Sequence, residues 1–181
     1  MGSQGRRPAS RGVARRNARL KVLRDLAGKD RAILAVDLAS QRQAAVVCDH
    51  DWVLLARRMF TGSAWCIREI LAWAGPVAGK AGFAGVVLTC EPTGHRWKPL
   101  VVTARAARVP VVCVQALLVR RAREGEGFTR SRSDFGDAVI IARLTAELRC
   151  YLPYVPGGPV GAAAASGGPA GRAGPACCCL A

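Results

Sequence analysis

The sequence predicts an α/β fold built on one mixed sheet, with three antiparallel strands first and then alternating helices and parallel strands. Two observations predict it. Between residues 31 and 60, three apolar β-type runs follow one another with only short polar breaks, the pattern of antiparallel hairpins. From residue 63 to 149, helical periodicity alternates with two continuous apolar runs typical of strands buried on both faces. Hydrophobic residues make up 51% of the 181, enough for the core of one domain.

Residues 1–30 are Arg-rich and weakly patterned, and read as a disordered basic arm with a short helix near 17–27. The domain proper spans 31–153. AILAVDLA is the first strand and ends near Asp37. RQAAVVCD is the second, Asp49-His50-Asp51 marks a turn, and WVLLARRMF returns as the third. Residues 63–80 are helical, with Ile67, Ile70, Leu71 and Ala74 on one face and Pro76 near the end. AGVVLTCE (84–91) is a buried-type strand ending on Glu91. A helix runs from about Gly94 to Arg108, PVVCVQ (110–115) is a fifth strand, and a short basic helix covers about 116–124. The stretch EGEGFTRSRS is a loop, and 134–149 is an amphipathic helix with Ala138, Ile141, Ala142 and Leu144 facing the core. The order β-β-β-α-β-α-β-α-α is the layout of the RNase H-like fold. From residue 154 the chain becomes Gly, Ala and Pro with almost no charge, and reads as a disordered or out-of-frame tail.

The formal net charge is +15, and Arg outnumbers Lys 23 to 4. A GC-rich coding sequence accounts for part of that ratio, but not for the excess of bases over acids. Such an excess favours a polyanionic partner, because each neutralised phosphate releases condensed counterions and Arg grips phosphate with a two-pronged fork. Of the eight Cys, none forms a C-x-x-C pair, which argues against zinc. The final CCLA fits a prenylation box only loosely. An apolar leader and an 18-residue apolar run are both missing, so a cytoplasmic protein without membrane contact is expected.

Four acids sit where chemistry would use them. Asp37 and Glu91 close the first and fourth strands, which are neighbours in this topology and should bring them together. Asp134 and Asp137 stand three apart at the start of the last helix and share a face. Each has a simpler explanation as a turn, strand-end or capping residue. Their joint placement points to a shared divalent cation, since clustered carboxylates repel unless neutralised. Mg²⁺ prefers carboxylate, water and phosphate oxygen, and two ions about 3.5–4 Å apart serve phosphoryl transfer.

The blocks DLAS (37–40), CEPTGHRWKPL (90–100), VPVVCVQALLVRRARE (109–124) and TRSRSDFGDAVIIARL (129–144) resemble the N-terminal domain of insertion-sequence 110 family transposases, the group that includes Piv-like DNA invertases. The resemblance covers about residues 31–153. It implies a RuvC-like DEDD site in which Asp37, Glu91, Asp134 and Asp137 are the catalytic, metal-binding acids for Mg²⁺, as one or two ions, with Mn²⁺ as a substitute. It places Thr93, Gly94 and His95 in a supporting loop. It suggests Arg96, Arg120, Arg121, Arg123, Arg130 and Arg132 as nucleic-acid contacts. DNA is the implied partner and a structured guide RNA a further one, with homo-oligomers expected among full-length relatives. Such relatives carry a second domain with an attacking serine. Ser166 sits in AAASGG without that context, so this chain is expected to be a truncated transposase not competent alone. The competing readings are a nucleic-acid-binding remnant without activity and a stand-alone RuvC-like nuclease.

Overall fold

The structure is a computed structural model that describes residues 10–39, 42–125 and 134–154. It consists of α1 (Arg11–Leu26), β1 (Arg31–Asp37), β2 (Arg42–Cys48), β3 (Leu54–Thr61), α2 (Ala64–Lys80), β4 (Gly85–Cys90), α3 (Trp97–Ala106), β5 (Val111–Cys113), α4 (Ala116–Gly125) and α5 (Asp134–Ala146). The five strands form one sheet in the order β3-β2-β1-β4-β5. β1, β2 and β3 pair antiparallel, whereas β4 lies parallel to β1 and β5 parallel to β4. The sheet and its flanking helices therefore have the RNase H-like arrangement.

Strand alternation sorts the core into two layers. Ala32, Leu34, Val36, Val86, Leu88 and Cys90 face α2 and α3. Ile33, Ala35, Val46, Val87 and Val112 face α1, α4 and α5. Central strands buried on both sides need continuous apolar runs, and β1 is fully buried from Ala32 to Val36. In α5, Ala138, Ile141, Ala142 and Leu144 are completely buried, as their spacing predicts, and Ile140 joins them.

The hairpin between β2 and β3 turns on Asp49, whose Oδ1 accepts the amides of Asp51 (2.8 Å) and Val53 (2.9 Å). Trp52 in that turn takes φ of 68°. His50 Nε2 lies 3.1 Å from the Gly28 carbonyl and 3.0 Å from that of Arg31. Both partners only accept, so Nε2 carries the proton. This bond ties the hairpin turn to the α1–β1 connection.

The largest departure from the sequence reading lies near the N-terminus. Residues 11–26 form one helix, longer than the short helix near 17–27 expected within a disordered basic arm. Its first half is exposed on every side, so it shows no amphipathic pattern, and Arg11, Arg15 and Arg19 repel at four-residue spacing. Tertiary anchors at its other end hold it. Leu23 and Ala27 are buried against the α4–α5 layer, and Arg19 Nη2 donates to the Cys150 carbonyl at 2.7 Å. The expected helix from Gly94 begins only at Trp97, β5 is confined to three residues, and α5 ends at Ala146 with Leu148 in the left-handed region at φ of 56°. Beyond α5, Tyr151 pairs with Cys113 and continues the sheet past β5. The expected tail beyond residue 154 lies outside the described residues.

Candidate metal and nucleic-acid site

β1 and β4 run parallel side by side, with Val36 opposite Cys90. Asp37 and Glu91 each follow one residue later, so they leave the sheet together at the same end. By alternation both fall on the α5 side, in phase with Ala35 and with Thr89. α5 is fixed across β4 by a buried hydrogen bond, with Thr145 Oγ1 2.8 Å from Thr89 Oγ1. That contact fastens the C-terminal part of α5 to β4, and Asp137 lies in the first turn of the same helix.

Arg123 and Asp137 both act on the Glu91 carboxyl. Burial raises its pKa above the usual carboxylate value, the Arg123 guanidinium pulls it down, and the Asp137 carboxylate pushes it up. Three elements thus place charge around one carboxyl: β4 through Glu91, α4 through Arg123 and α5 through Asp137. Asp37 stands on the adjacent strand and is partly buried. Asp134 opens α5, and its side chain lies outside the described residues.

The pairing of Arg123 with Asp137 is what sequence reasoning missed. Arg123, expected as a nucleic-acid contact, grips Asp137 with both prongs, Nε to Oδ1 at 2.8 Å and Nη2 to Oδ2 at 2.7 Å. Fourteen residues separate the two, so no helical spacing could have announced the pair. The other basic residues are placed differently. Arg120 is exposed and pairs with Glu124 at 2.9 Å, one turn along the same helix. Arg121 is exposed on α4, and Arg96 is exposed just before α3. Arg130 and Arg132 lie outside the described residues.

The segment after Glu91 turns sharply. The Thr93 amide donates to the Glu91 carbonyl at 2.9 Å, Gly94 takes φ of 57°, and the His95 carbonyl accepts from Lys98 N–H at 3.3 Å. Thr93, Gly94 and His95 are exposed beside Glu91. Behind Asp37, the buried Gln43 donates Nε2 to the Ala39 carbonyl at 2.9 Å and steadies the chain leaving β1. Gly62 makes room for that amide, since a Cβ there would lie 2.7 Å from Gln43 Oε1.

Carboxylate oxygens are hard donors of the kind Mg²⁺ and Mn²⁺ take. In chemistry, the carboxylates of Asp37, Glu91 and Asp137 suit such an ion. In their present geometry, no group of three or more His, Cys, Asp or Glu among the described residues closes tightly enough to hold one. Both oxygens of Asp137 are engaged by Arg123. The five described cysteines are all buried. Cys90 and Cys113 touch on the opposite face, Sγ to Sγ 3.9 Å, and this contact together with burial raises the Cys90 thiol pKa well above its ordinary value.

A family model described as a transposase, the DEDD type of insertion sequence 110, matches residues 34–157. The chain belongs to this transposase family. The matched span holds all four acids and every strand but the start of β1. No curated protein matches the sequence. Among solved structures, the transposase domain is similar to T. thermophilus RuvC in complex with a Holliday junction substrate, at 16% identity and a TM-score of 0.45 over 67% of this chain and 98% of that one. A second Thermus thermophilus RuvC structure gives 16% identity and 0.45 over 66% and 98%. A ROK hexokinase from Thermus thermophilus gives 19% and 0.37 over 52% and 37%. No helix among the described residues of the transposase domain is long and apolar enough to cross a membrane.

Proposed function

We propose that this transposase domain binds DNA and gathers a divalent cation, Mg²⁺ or Mn²⁺, on Asp37, Glu91, Asp137 and Asp134. What supports the reading is the convergence of Glu91 with Asp137 at the end of β4, beside Asp37, in a chain whose family is defined by such acids. When bound, the cation supplies charge neutralisation and polarisation of a phosphodiester oxygen. The chain's own contribution is placement. β1 and β4 hold two carboxylates on a rigid sheet, and α5, fixed through Thr145, brings the others. Arg96, Arg120 and Arg121 are exposed on the segments around this end and attract the phosphate backbone, as do Arg130 and Arg132 in the connection before α5. A structured guide RNA, recognised by shape and backbone, is the second polyanion this basic surface suits, and further copies of the chain complete the proposed assembly.

The test is DNA binding by the purified chain against salt and Mg²⁺. Affinity should fall linearly in log–log form with salt. It should rise with Mg²⁺ in the native chain and lose that rise in Asp37→Asn, with little cleavage of DNA by this chain in either case. Affinity indifferent to Mg²⁺ in both proteins sinks the metal part of the reading. Robust Mg²⁺-dependent turnover abolished by Asp37→Asn establishes a stand-alone nuclease instead.

A further inference from the structure

The Arg123–Asp137 pair differs in kind from the Arg120–Glu124 pair on α4. Arg120–Glu124 is an exposed one-turn contact with side chains 75% and 55% accessible. Arg123 and Asp137 are 26% and 21% accessible and join two helices with a two-pronged grip. A half-buried bidentate pair is held far more firmly than a solvated one.

A carboxylate has two oxygens, and Arg123 engages both. A cation that takes Asp137 as a ligand needs at least one of them. We infer that Arg123 is a latch on this site: it closes Asp137 by occupying both carboxylate oxygens, and a divalent cation and the Arg123 fork compete for that carboxylate. The inference rests on the metal-site reading above and deepens it.

The competition has a second consequence. Arg123 lies two residues before the end of α4, at the start of the connection that leads to α5. When a cation takes Asp137, the guanidinium is released with its fork intact at the mouth of the site, and that fork matches a phosphodiester. Cation binding therefore prepares a phosphate contact, and phosphate binding draws Arg123 off Asp137. Reciprocity requires each ligand to strengthen the other by the same factor. Arg123 acts here as a positioning residue.

The experiment is Mn²⁺ titration of the full chain by calorimetry, without DNA, comparing the native protein with Arg123→Gln, Arg123→Lys and Arg149→Gln. Loss of the latch in Arg123→Gln should tighten Mn²⁺ binding on the order of tenfold, which is about 1.4 kcal/mol. Arg123→Lys keeps the charge without the fork, and should fall between native and Arg123→Gln. Arg149→Gln removes the same charge from the exposed pair with Glu147, and should change Mn²⁺ affinity by less than about twofold. In a parallel DNA titration, Mn²⁺ should raise the affinity of the native chain but not that of Arg123→Gln. Measurable Mn²⁺ binding that Arg123→Gln leaves equal or weaker overturns the latch and leaves the metal site standing. An Arg149→Gln effect as large as that of Arg123→Gln overturns it as well. Absence of Mn²⁺ binding in all four proteins overturns the metal site and the latch together.

Discussion

The two faces of the sheet are built from the same strands yet are suited to different tasks. On the α2–α3 face, the strands present Ala32, Leu34, Val36, Val86, Leu88 and Cys90 to Ile67, Ile70, Leu71, Leu100 and Val101, an almost wholly apolar contact. On the α1–α4–α5 face, the same strands present Ile33, Ala35 and Val87, but also Thr89, and beyond the strand ends the two acids. One face supplies rigidity through close packing. The other gives up some packing to hold polar groups, and there each polar group needs a named partner: Thr145 for Thr89, Arg123 for Asp137. The proposed site lies where the second face meets the ends of the parallel strands, because there side chains emerge from a rigid sheet into solvent.

Breaking the apolar face should have the largest effect. Ile70→Ala in α2 removes a side chain only 1% exposed, and should destabilise the chain by about 2–5 kcal/mol in denaturant unfolding. Any loss of DNA binding should simply follow the loss of folded protein. Thr145→Val comes next. It leaves the buried Thr89 hydroxyl without its partner, and should cost about 1–3 kcal/mol. If α5 is positioned by that bond, Thr145→Val should also weaken metal and DNA binding more than an equally destabilising change at Ile70. Equal loss at both sites would remove the distinction between the faces.

Glu91→Gln sharpens the contrast through pH. Burial raises the Glu91 pKa in the folded chain, so the folded state binds this proton more tightly than the unfolded state does. Stability from this group is therefore present at acid pH. It is lost as pH rises from the unfolded value through the folded one. Glu91→Gln should flatten that part of the stability profile and leave the variant somewhat more stable than the native chain at neutral pH. An unchanged profile would mean that Glu91 is as well solvated folded as unfolded. The smallest effect is expected at Glu124→Ala, which breaks the exposed pair with Arg120 and should shift stability by less than about 1 kcal/mol.

Much of this was legible in the sequence because period and composition are local. Continuous apolar runs identified β1 and β4 as buried strands, and the spacing of Ala138, Ile141, Ala142 and Leu144 identified the core face of α5. Strand-end acids stood out because buried-type strands rarely end on charge. α1 was not legible, since a helix polar on all sides carries no periodic signal, and what holds it is Leu23, Ala27 and a bond from Arg19 to a carbonyl 131 residues away.

The sequence by itself determined the order of strands and helices from β1 to α5, the basic charge and the four acids, all of which follow from side-chain chemistry read along the chain. Only the tertiary structure decided that Thr145 fastens α5 to Thr89 and that Arg123 grips Asp137. Those contacts join residues distant in sequence, and which distant groups meet is set by how two layers pack on a sheet, not by any local period.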